Sequence, residues 1–118
     1  IYKENIVVNI EGSTLEENTI FLTDSGDVLY NVPTDFVGIQ FNINGTTASN
    51  VSDGKASEID WILHVSDSTV IGFHENNKAI TDDSGVLFNL TLDGEVTGLS
   101  DIVCVDSNKN IINVTYNN

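Results

Sequence analysis

Four Asn residues open N-x-Ser/Thr triplets: Asn44-Gly45-Thr46, Asn50-Val51-Ser52, Asn89-Leu90-Thr91 and Asn113-Val114-Thr115. Each side-chain amide is a candidate for N-glycan attachment. With 15 Asn and 21 Ser or Thr in the chain, about three such triplets arise by chance, so their number marks permissive positions and does not demonstrate glycosylation. Clustered acids suggest calcium, and Asp106-Ser107-Asn108-Lys109-Asn110 has the D-x-N-x-N opening of a calcium loop. Ile111 stands where the sharp turn needs Gly, and Asn117 where a bidentate Glu should close the shell, so a hairpin turn is the better reading. Asp24 with Asp27, and Asp82 with Asp83, read as solvated turn carboxylates.

Catalytic chemistry finds no matching pattern. His64 and His74 fall on the polar phase of their segments, without an H-x-H or Cys/His cluster, and read as solvent-facing. No G-x-S-x-G elbow is present, and no carboxylate pair sits in a context that would raise a pKa. Cys104 is the only cysteine; lying in Ile102-Val103-Cys104-Val105, it reads as a small buried apolar residue. Trp61 is in phase with Ile59, Leu63 and Val65, which makes it a core residue and not a sugar platform. Tyr2 and Tyr116 lie near the ends and do not make a platform. The expectation is a chain without catalytic residues, resident metal or cofactor.

Charge narrows the partners. Eighteen Asp and Glu face four Lys (Lys3, Lys55, Lys78 and Lys109) and no Arg, for a net charge of −14. Nucleic-acid binding replaces condensed counterions with cationic side chains, and four scattered Lys cannot supply that footprint. Docking on an anionic membrane is disfavoured for the same reason. No apolar run approaches the roughly 18 residues of a membrane span, so no membrane insertion is expected. The 118 residues predict one domain. Starting at Ile1 with no Met and no signal-peptide pattern, the chain is expected to be a processed product or part of a longer polypeptide.

The elements that position these residues follow from period-two alternation. Val37, Ile39, Phe41 and Ile43 alternate with Gly38, Gln40, Asn42 and Asn44, while Val86, Phe88, Leu90 and Leu92 alternate with Leu87, Asn89, Thr91 and Asp93. The predicted strands are 5–11, 19–23, 27–32, 36–44, 59–65, 69–74, 86–93, 101–106 and 111–116, with no long helical stretch and room for one helical turn in the loop 12–18. Asp24-Ser25-Gly26 is a hairpin turn, and Pro33 ends a strand by removing a ladder donor. The polar stretch 45–58 is a long surface loop. Inward positions include Ile6, Val8 and Ile10 in the first strand, Ile71 and Phe73 in the sixth, and Ile112 and Val114 in the last. Nine short strands at such spacing predict an all-β fold, a sandwich of two antiparallel sheets.

Several pieces resemble a known group. Val37-Gly38-Ile39-Gln40-Phe41, Thr69-Val70-Ile71-Gly72-Phe73, the segment 84–92, Gly98-Leu99-Ser100-Asp101-Ile102-Val103 and the closing turn Asp106–Asn110 together resemble cohesin-like modules, within the immunoglobulin-like and carbohydrate-binding β-sandwiches. These modules occur in exported proteins of marine microbes and surface proteins of large aquatic viruses. The resemblance implies display or adhesion in place of catalysis, on a virion surface or otherwise outside the cell. The expected partner is the protein surface of a larger assembly, such as a capsid, with glycans as a further class. In cohesins the partner is a dockerin, which makes a protein-binding or carbohydrate-binding adhesion module the alternative expectation.

Overall fold

Apolar side chains at every second position are hidden only when two sheets face each other, and that is the arrangement found. The computed structural model describes residues 10–117, and within them ten strands form two five-stranded sheets. In chain order the strands are β1 (Thr19–Leu22), β2 (Asp27–Asn31), β3 (Gly38–Asn44), β4 (Ala48–Ser52), β5 (Ile62–Ser66), β6 (Thr69–Phe73), β7 (Ser84–Leu92), β8 (Gly98–Val105), β9 (Ile111–Ile112) and β10 (Thr115–Tyr116). One short helix, α1 (Gly54–Glu58), lies between β4 and β5. The first sheet has the order β10-β1-β2-β7-β4 and the second β5-β6-β3-β8-β9. All pairs are antiparallel except β1 with β10. The fold is therefore the two-sheet sandwich expected, with ten strands in place of nine.

Between the sheets lie Ile20, Leu22, Val28, Tyr30, Phe36, Ile39, Phe41, Phe88, Leu90 and Cys104, all buried. Phe41 of one sheet stacks on Phe88 of the other, with ring centroids 6.1 Å apart. Phe36 meets both Tyr30 and Trp61 edge to face, the geometry that ring quadrupoles favour. Trp61 is buried, as its phase indicated, and its indole N–H donates to the Lys78 carbonyl at 2.9 Å. Gly26 closes the β1–β2 hairpin with φ +96°, and a Cβ there would strike the Leu90 carbonyl.

Five expectations are corrected. The stretch 45–58 is not one loop: β4 pairs with β7 at the sheet edge, and α1 follows with Ala56 fully buried. An edge strand needs few large apolar residues, so composition concealed it; Gly54, at φ +74°, lies so close to the Leu87 carbonyl that no side chain fits. In β6 the inward residues are Val70 and Gly72, while Ile71 is half-buried and Phe73 is 38% exposed. Gly72 leaves room on the inner face for Leu63, Trp61 and Phe88, which a Cβ there would meet at 3.0, 3.3 and 3.4 Å. A bulge opposite Val28 and Leu29 places Leu87 and Phe88 both inward and turns Val86 out. Ile10 is exposed and Glu11 belongs to no strand; the rest of the expected strand 5–11, including Ile6 and Val8, lies outside the described residues, as do Tyr2 and Lys3. The expected strand 111–116 is split, for β9 pairs with β8 and β10 crosses to β1. Val114 is buried at that crossing.

No helix among the described residues is long and apolar enough to cross a membrane.

Candidate functional site

The inward turn of Val70 and Gly72 leaves the other face of the second sheet with an apolar surface. Register places Ile62, Phe73, Gly38, Val105 and Ile111 side by side, one from each of the five strands. Ile62, Phe73 and Ile111 are 42%, 38% and 74% exposed, which is unusual for residues adjoining in one row. The next outward row is His64, Ile71, Gln40 and Val103, with Val103 also exposed. At its centre Gly38 carries no side chain, so a notch of about 170 Å³ opens between Ile71 and Phe73 on one side and Val103 and Val105 on the other.

The far end of the same face is polar and internally satisfied. Thr69 Oγ1 donates to Asn42 Oδ1 at 2.9 Å, Asn42 Nδ2 donates to Asp101 Oδ2 at 2.8 Å, and Ser100 Oγ donates to Asn44 Oδ1 at 2.9 Å. Polar groups that already have partners offer little to a ligand. The apolar end, whose surface no other described residue covers, is the part suited to recognition.

The residues singled out from sequence are dispersed. Asn44, Asn50 and Asn113 are exposed, Asn50 on the edge strand β4 and Asn113 between β9 and β10. Asn89 falls on the polar phase of its strand, which predicts exposure, yet it is half-buried, and Nδ2 donates to Asp27 Oδ1 at 2.8 Å and to the Ser25 carbonyl at 3.3 Å. Asp106 Oδ1 accepts the N–H groups of Asn108 and Asn110, both at 2.9 Å, so the suspected calcium loop is a turn closed on its own carboxylate. His64 projects outward from β5, beside Ile71, whereas His74 follows β6 and accepts the Asn76 N–H through Nδ1. Among the described residues no group of three or more His, Cys, Asp or Glu side chains is placed to hold a metal ion.

Two further places carry titratable groups. Cys104 is fully buried, and burial pushes its thiol up to about 12, far from a reactive thiolate. Lys55 Nζ lies 2.7 Å from Asp82 Oδ2 on the surface, and that hydrogen bond, followed by the Asp82 and Glu58 charges, raises the ammonium pKa. A lysine so held is protonated and not nucleophilic.

Sequence reasoning missed the apolar face for a definable reason. Ile71 and Phe73 alternate as a core pair would, and only register against β3 reveals that the pair is outward. Gly72 was the available signal, since a strand glycine often marks a close approach. No protein-family model matches this chain, and no curated protein matches it.

Proposed function

We propose that this chain is a non-catalytic β-sandwich that decorates the exterior of a larger assembly, a viral capsid or an extracellular structure, and attaches through the outer face of the second sheet. The observation that carries the reading is the apolar row Ile62, Phe73, Gly38, Val105 and Ile111, which spans all five strands and exposes Ile62, Phe73 and Ile111 to solvent. Flat sheet surfaces rimmed by polar residues and centred on aromatic and branched side chains have the composition of protein interfaces. The resemblance to cohesin-like modules supports attachment by protein contact, and the net charge of −14 favours a protein partner over nucleic acid or anionic lipid. Asn50, exposed on the edge strand β4 of the first sheet, is where a glycan fits a displayed module without meeting the docking face.

Quantitative mass spectrometry of purified assemblies from the source tests the reading. A fixed stoichiometric ratio to the main structural protein is expected, together with loss of attachment by Phe73→Asp. A chain found free in solution and absent from every assembly, or a Phe73→Asp variant that attaches normally, overturns it.

A further inference from the structure

Resting on the docking reading above, we infer that the notch over Gly38 receives one aliphatic side chain from a protein partner whose surrounding residues are basic. Nothing among the described residues requires glycine at this position. Its φ lies outside the left-handed region, and a Cβ would meet Val105 Cγ2 at 3.4 Å and the Gly72 carbonyl and Phe73 Cβ at 3.5 Å, ordinary contact distances. A β-branched residue would suit a central strand better than glycine, which costs backbone entropy and packs nothing. What glycine provides is the open notch of about 170 Å³, with hydrocarbon walls from Ile71, Phe73, Val103 and Val105. Desolvated pockets of this kind at the centre of an interface hold the anchor side chain that dominates binding.

Charge identifies the partner's rim. Asp35, Asp60, Glu75 and Asp106 lie beside the strand ends at this edge of the sheet: Asp35 and Asp60 before β3 and β5, and Glu75 and Asp106 after β6 and β8. The cations nearest in sequence are Lys78 and Lys109, and Lys109 Nζ donates to Asn77 Oδ1 at 2.8 Å. A second copy of this chain would bring another −14 against the same acids, so a basic partner is favoured over self-association.

The test uses nuclear magnetic resonance of the isotopically labelled chain titrated with short Lys/Arg-rich peptides bearing one central Leu. Saturable amide shifts are expected at Gly38, Gly72, Phe73 and Val105. Binding should weaken about tenfold or more when the peptide Leu becomes Ser, when its basic residues become Glu, or when the protein carries Gly38→Val. The Gly38→Val variant should meanwhile unfold at an equal or higher urea concentration than the parent, which separates loss of binding from loss of fold.

Absence of shifts, or equal affinity for Gly38→Val and the parent, overturns the inference. If the parent and Gly38→Val bind equally and Phe73→Asp does not bind, the face remains the docking surface and only the notch is wrong. If Phe73→Asp also binds normally, both readings fall. Concentration-dependent dimerisation abolished by Phe73→Asp would replace the basic partner with a second copy.

Discussion

Two phenylalanines on adjoining surfaces of the sandwich should respond very differently to truncation. Phe88 is fully buried, stacked on Phe41 at 6.1 Å, and its ring contacts the strand opposite at Gly72. Phe88→Ala removes that ring from a close-packed site and leaves a cavity, a loss of about 3–5 kcal/mol, of which about 0.5–1.5 kcal/mol belongs to the aromatic pair. Phe73 is 38% exposed on the outer face, where truncation opens no cavity, and Phe73→Ala should cost about 1 kcal/mol or less. Small domains hold about 5–15 kcal/mol in all, so Phe88→Ala risks unfolding the chain, and Phe88→Leu, with an expected cost of about 1–2 kcal/mol, keeps the comparison measurable. Urea denaturation followed by tryptophan fluorescence reads the difference through Trp61. Equal losses at Phe73 and Phe88, or a larger loss at Phe73, would show that β6 presents the opposite face to the core and would remove the apolar row.

Other expectations bear on separate parts of the structure. The Tyr30 hydroxyl is buried and has no hydrogen-bond partner among the described residues, so Tyr30→Phe should leave stability unchanged or raise it by about 1 kcal/mol; a clear loss in the denaturation midpoint would mean the hydroxyl is engaged. Cys104 ionises near 9.0 in the unfolded chain but is held up to about 12 by burial when folded. The unfolded chain therefore releases its proton first, and stability should fall as pH rises above about 9. Cys104→Ala should make that alkaline decline shallower in urea midpoints, and an unchanged slope would contradict the burial. Gly54→Ala forces a side chain against the Leu87 carbonyl at φ +74°, and a loss of more than about 1–2 kcal/mol is expected in thermal or urea unfolding; a neutral result would contradict the path of the chain into α1.

The fold was legible because burial leaves a period. Ile20 and Leu22, Val28 and Tyr30, and Ile39, Phe41 and Ile43 alternate in the sequence and all face the core. Edge elements escape that reading, since β4 buries only Ala48 fully and its other residues are polar or half-exposed. Bulges escape it too, as at Leu87 and Phe88, where two neighbours turn inward together. The face of Ile71 and Phe73 was invisible because alternation gives the repeat but not its sign: the same pattern serves a core strand or an apolar exterior. The Asn residues were the reverse case. Their phase was readable, but whether an amide is already used, as at Asn89, depends on Ser25 and Asp27 in the neighbouring hairpin.

Hydroxyl-radical footprinting of this chain, free and within the assembly proposed for it, addresses attachment at the side chains themselves. Ile62, Phe73, Val103 and Ile111 should lose reactivity in the assembly while Val86, exposed on the opposite sheet, keeps it. Unchanged reactivity across the four, with protection at Val86 or elsewhere on the first sheet, would contradict docking through the second sheet.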